Sequence, residues 1–83
     1  MTVVNNAEDL HFMHKAFELA ELAEQHDEIP VGAVVVYKGQ IIGEGHHEKY
    51  GEAHAEVNAI NAVTDKSVLK ESTLYEFESQ QIL

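Results

Sequence analysis

Cysteine is absent from all 83 residues, which excludes disulfides and any thiolate-bound metal supplied by this chain. Arginine is absent as well: the five basic residues are all lysines, set against fifteen acidic ones for a net charge of -10. An acidic chain without guanidinium groups matches phosphate backbones and anionic membranes poorly, so neither nucleic acid nor a membrane is an expected partner. No stretch approaches the roughly 18 consecutive apolar residues of a membrane span. Met1 to Asp9 lacks the basic start and apolar run of a secretory signal, so a cytoplasmic location is expected.

What is present suffices for one small domain over residues 1–83. A chain this short buries only about 60 to 65% of the surface it exposes when unfolded, so its independent stability is expected to be marginal. Its apolar content of 45% nevertheless speaks for a folded chain despite the charge.

Asn6, followed by Glu8 and Asp9, has the form of a helix start, with a capping side chain and acidic residues in the first turn. Leu10, Met13, Phe17, Ala20 and Ala23 then recur at three- and four-residue spacing, predicting an amphipathic helix to about His26, itself a favourable cation at a helix end. His11 and His14 lie three apart on it; without a third ligand nearby in sequence they read as solvated-face histidines. The single proline, Pro30, breaks the helix and biases Ile29 toward an extended conformation.

Val31 to Tyr37 is apolar and β-branched, as in a strand buried on both faces. Lys38-Gly39-Gln40 turns the chain, and Ile41 and Ile42 begin a returning strand toward Gly45, making a hairpin. His46 to Glu52 reads as a loop, and a second helix follows with Val57, Ala59, Ile60 and Val63 on its inner face. Thr64 to Lys66 ends it, Val68 to Ser72 connects, and Thr73-Leu74-Tyr75 starts a third strand. Residues 76 to 83 alternate only weakly and receive no assignment. A short sheet of this kind leaves an edge that must pair with something, which favours a homo-oligomer or a partner chain.

The chemistry concentrates in Gly51-Glu52-Ala53-His54-Ala55-Glu56-Val57-Asn58-Ala59-Ile60. Mid-helix, side chains two apart diverge by about 200° and cannot share a face. At the first turn both can reach a site beyond the helix end, so the imidazole of His54 can hold a metal while the carboxylate of Glu56 stays free to move protons. His-x-Glu followed later by Pro-Cys-x-x-Cys is the signature of zinc nucleobase deaminases, and here only the first half is present. By itself the triplet is common enough to be structural. Asn58 reads as surface or packing.

Helix, hairpin, helix and strand, with His-Ala-Glu opening the second helix, resembles the cytidine deaminase-like superfamily over residues 8–75. That resemblance implies an α/β fold of three layers, α/β/α, of which this chain holds a part. The run from Gly43 to Ile60, with Gly43, Gly45, His47, Gly51, His54, Ala55, Glu56 and Val57, looks like the pyrimidine deaminase domain of riboflavin biosynthesis, and Lys70 to Tyr75 continues the likeness. Upstream, Glu28-Ile29-Pro30-Val31-Gly32-Ala33 resembles tRNA adenosine deaminases instead, and Glu28 stands where the riboflavin family carries a substrate-contacting asparagine.

The resemblance implies zinc as cofactor, His54 as its ligand, Glu56 as the catalytic proton shuttle, and His47 and Glu28 as contacts to a small pyrimidine substrate. In such a site metal-bound water attacks the carbon bearing the amino group, and ammonia leaves. Both families follow the third strand with cysteine ligands, whereas this chain turns to Glu76-Phe77-Glu78, so the implied domain is an incomplete one and is expected to be inactive as it stands. His46 and His47 could replace the cysteines, but an adjacent pair in a loop more simply faces solvent or substrate. Three function classes follow: a riboflavin-type hydrolytic deaminase, a tRNA adenosine or free-base deaminase relative, and a non-catalytic remnant or association module.

Overall fold

The computed structural model describes residues 1–6, 9–26, 28–47 and 54–78. The first helix, α1, runs Leu10–Gln25 and is capped by Asp9, not Asn6: the Asp9 carboxylate accepts hydrogen bonds from the backbone N–H groups of His11 (3.1 Å) and Phe12 (3.5 Å). Those two amides have no partner within the helix, which is why the acidic residue expected in the first turn serves as the cap. Met13, Ala16, Ala20 and Ala23 form the buried stripe. Leu10, expected on that stripe, is 71% exposed and borders a surface groove with His14 and Phe17. His14 lies on the solvated face as expected, with Nε2 3.3 Å from Glu18.

Strand β1 is Thr2–Val4, β2 is Val31–Tyr37, β3 is Gln40–His46 and β4 is Thr73–Glu78; they make one sheet in the order β1-β4-β2-β3. β2 is central and antiparallel to both neighbours. Its first six residues are buried, as expected of a strand covered on both faces. The β2–β3 turn has two residues, not three: Lys38 and Gly39 both have positive φ, 51° and 78°, and Gln40 already pairs with Tyr37. Two left-handed residues match the strand twist, which favours this tight connection. β3 also continues through His46, one residue into the expected loop.

Helix α2 spans Ala55–Asn61, and a 3-10 segment follows at Lys66–Glu71. α2 lies close over β3 because two glycines admit it. A Cβ on Gly45 would meet the backbone of Ala55 and Ala59, and one on Gly43 would meet the Ala59 carbonyl and Val63. The inner face of α2 is therefore Ala55 and Ala59, continued by Val63, while Val57, expected there, is 42% exposed. Two residues from Ala55 it is turned by about 200° and points away from the sheet.

Strand alternation assigns the layers. Val31, Ala33, Val35 and Leu74 share a core cluster with Ala55, Ala59 and Val63 on the α2 face. On the other face, Gly32 lies against Ala16, Leu19 and Ala20 of α1, the Phe12 ring lies tilted 5.3 Å from that of Tyr75, and Phe17 meets Phe77 edge to face at 5.1 Å. The architecture is thus three-layered α/β/α, as expected, with two additions. β4 extends to Glu78, and β1 pairs parallel to its outer side, so the edge expected to need a partner is paired from within the chain. Among the described residues no helix is long and apolar enough to cross a membrane.

Candidate active site

The end of the sheet where β3 and β4 finish carries the candidate site residues. Glu76 pairs across β2 with Ala33, and Ala33 with Gly45; one step further out Glu78 pairs with Val31, whose carbonyl accepts the His47 N–H at 3.1 Å. The N-terminus of α2 lies over Gly45 and so delivers His54 and Glu56 to the same end. Between them lies a cleft of about 300 Å³ lined by Ile29, Val31, His47, His54, Glu56, Glu76 and Glu78.

His54 is the N-cap of α2 in extended geometry, and its side chain makes no capping hydrogen bond. Its ring stands 5.2 Å from that of His47 at 74°, edge to face. His47 is 3% exposed, and its buried Nδ1 has no hydrogen-bond partner among the described residues. The two residues expected as metal ligand and substrate contact are thus brought together.

Glu56 occupies the first turn of α2 and lines the cleft together with Glu76. Burial, the hydrogen bond to Glu56 and the charges of Glu56 and Glu78 push Glu76 up to about 7. Glu56 moves the other way: the hydrogen bond from Glu76 lowers it first, helped by its backbone N–H and by His54 and His47, against the opposing effect of burial. The two carboxyls thus shift in opposite directions, as neighbouring acids in one cleft do. Sequence reading missed Glu76; the signal was the continued alternation of Leu74, Glu76 and Glu78 on one face of β4.

Glu28 stands apart from this group. It does not line the cleft; its Oε1 lies 3.5 Å from His46 Nδ1 and lacks a hydrogen bond of its own among the described residues. His46, weighed as a substitute ligand, pairs there, and the same Nδ1 lies 3.3 Å from the His47 carbonyl oxygen. Asn58, expected to be surface or packing, donates through Nδ2 to the His46 carbonyl at 2.9 Å, tying α2 to the end of β3.

The chain resembles known proteins in sequence and fold. The family model of the cytidine and deoxycytidylate deaminase zinc-binding region matches residues 6–77. The chain belongs to that family. Among its relatives, a riboflavin biosynthesis protein RibD of Bacillus amyloliquefaciens is 52% identical over 67 residues, covering 78% of this chain and 18% of its own. A tRNA-specific adenosine deaminase 2 of Xenopus tropicalis is 42% identical over 59 residues, covering 66% and 35%. The solved diaminohydroxyphosphoribosylaminopyrimidine deaminase/5-amino-6-(5-phosphoribosylamino)uracil reductase of Thermotoga maritima superposes with a TM-score of 0.67 at 39% identity, over 80% of this chain and 20% of that one. The deaminase-family chain described here spans less than half the length of each of these proteins.

Zinc is implied by the family, and the donor set tests it. The chain contains no cysteine, and among the described residues no three histidine, aspartate or glutamate side chains are arranged to hold one ion. Glu56 and Glu76 line the same cleft. These residues do not fit a three-ligand zinc site.

Proposed function

We propose that this chain is a deaminase domain of the riboflavin-biosynthesis type whose 83 residues carry the ring-binding and proton-handling part of the site and no thiolate ligand for a metal. The observation that carries the reading is the convergence of His47, His54 and Glu56 on one cleft at the start of α2. A cleft of about 300 Å³ accommodates a single heterocyclic ring, with Ile29 and Val31 as an apolar wall.

In this reading His47 meets the substrate ring and Glu56 holds the proton that an amino leaving group requires. Glu28, expected at the substrate, acts through His46 from outside the cleft. The likeness from Gly43 to Ile60 and the 52% identity to a riboflavin enzyme support a small pyrimidine as the ligand class. A tRNA adenosine deaminase reading draws on Glu28 to Ala33 and on the 42% relative, and a net charge of -10 opposes it.

With only His54 left of the implied ligand set, the 83-residue chain is expected to be catalytically silent by itself. The test is zinc content per chain after dialysis, with native mass on the same sample, alongside ammonia release from the diaminopyrimidine substrate of the riboflavin enzymes. The expected result is zinc far below stoichiometric and no release that depends on Glu56. Stoichiometric zinc, or release abolished by Glu56→Gln, overturns it.

A further inference from the structure

His46 and His47 are adjacent in sequence and serve opposite sides of the sheet. His46 pairs with Gly32, which lies on the α1 face, where a Cβ would meet Ala16 and Ala20. Cross-strand partners share a face, so the His46 ring is on the α1 side. There its Nδ1 lies 3.5 Å from Glu28 Oε1. Glu28 is itself held at the end of α1, its N–H donating to the Ala23 carbonyl at 2.9 Å. His47 instead lines the cleft with His54.

What joins the two sides is the contact between His46 Nδ1 and the His47 carbonyl, at 3.3 Å. A carbonyl oxygen only accepts, and so does a carboxylate, so the nitrogen lying between them carries the proton. Glu28 Oε1 is buried and has no hydrogen bond among the described residues, and the imidazole is the polar group beside it. The buried Nδ1 of His47 likewise has no partner among the described residues. The main chain on either side is therefore what places that ring.

We propose that Glu28 and His46 are positioning residues for His47. Glu28 keeps the His46 ring in the orientation and tautomer that bond Nδ1–H to the His47 carbonyl, and that bond, with the His47 N–H on Val31, sets the His47 ring in the cleft. His46 is not among the residues that carry the likeness to the riboflavin deaminases, and Glu28 stands where they carry an asparagine. The pair is thus a device of this chain's own sequence.

The inference deepens the reading of His47 as a contact to the substrate ring, but its test needs no turnover. Long-range proton–nitrogen correlations on the full 83-residue chain, at a pH of about 8 where imidazoles are ordinarily neutral, give the His46 tautomer. A proton on Nδ1 is expected, and a proton on Nε2 alone overturns the proposal. Four variants follow. Glu28→Gln keeps an acceptor oxygen and His46→Asn an N–H donor near the Nδ1 position, whereas Glu28→Leu and His46→Phe keep bulk and remove them. Gln and Asn are expected to retain the parent's carbonyl-carbon shift at His47 and the proton contacts between the His47 and His54 rings; Leu and Phe are expected to lose both. Leu and Phe variants that keep them, or Gln and Asn variants that lose them, overturn the proposal. The Phe12–Tyr75 ring contact checks the fold, and where a variant loses it, Glu28→Ala or His46→Ala is read in its place. Failure of the deaminase reading shows instead in the zinc and ammonia measurements and leaves these shifts and contacts as they are.

Discussion

Glu76, on β4, and Glu56, in the first turn of α2, line one cleft, and each carboxyl shifts the protonation of the other. Burial and its neighbours raise Glu76 from 4.5 to about 7, and the hydrogen bond from Glu76 lowers Glu56. A group whose folded value is raised contributes stability that is complete below its unfolded value and disappears as the pH rises through the folded one. The urea midpoint of the chain is therefore expected to fall as the pH passes through about 7, where the second carboxyl ionises. Glu76→Gln is expected to remove that fall. The difference between the parent and variant curves isolates the contribution of Glu76. Parallel curves would show that Glu76 keeps its ordinary value.

Close approach of α2 to β3 depends on Gly45. A Cβ there would overlap the Ala55 carbonyl and the Ala59 amide, both of them backbone that cannot rotate away. Gly45→Ala is expected to cost about 1–3 kcal/mol, the usual range for forcing extra volume into a packed interface. It should also widen the distance between His54 and His47, since α2 carries one and the end of β3 leads into the other. Equilibrium urea unfolding gives the first quantity, and loss of the contact between the two imidazole rings the second.

Much of this fold was legible in the chain itself, for reasons that can be named. Val31 to Tyr37 is a continuous apolar run because both of its faces are covered, and Lys38-Gly39 marks the turn because two left-handed residues are needed there. Thr2–Val4 was not legible, since three residues show no alternation and their partner strand, β4, lies some seventy residues away in sequence. Val57 misled because a helix set on two alanines over glycines inverts the rule that the larger apolar residue faces inward.

At the site, His54 and Glu56 could be found from their spacing and position at a helix start. Glu76 could not be assigned because its meaning lies in what faces it across the cleft. Glu28 shows the reverse: its neighbours in sequence resembled a substrate-binding segment, but its carboxylate is turned to His46.

Asn58 joins the two elements that carry the histidines. Its Nδ2 donates to the His46 carbonyl at 2.9 Å, and the next residue's N–H, that of His47, donates to Val31 at 3.1 Å. Asn58→Ala leaves a half-buried carbonyl without that donor and is expected to cost about 1 kcal/mol. The loss should be local, so hydrogen exchange at the His47 amide is expected to accelerate by more than at Val34 or Val35, in the fully buried middle of β2. Equal acceleration at all three would indicate a global loss of stability and no special coupling of α2 to the end of β3.

The cap of α1 makes the final prediction. Asp9 Oδ1 accepts from the amides of His11 and Phe12, and its Oδ2 accepts from the Tyr75 hydroxyl at 3.4 Å, so one carboxylate joins the start of α1 to β4. Asp9→Ala is expected to cost about 0.5–2 kcal/mol through the lost cap alone. Asp9→Asn keeps an oxygen for the two amides and should recover most of that. Asn6→Ala, at the residue whose sequence suggested the cap, should change stability by less than about 0.5 kcal/mol, as for a surface substitution away from any such feature. Urea midpoints of the three variants decide the matter: if Asn6→Ala costs as much as Asp9→Ala, the helix begins earlier than Leu10 and the hydrogen bonds of Asp9 are incidental to it.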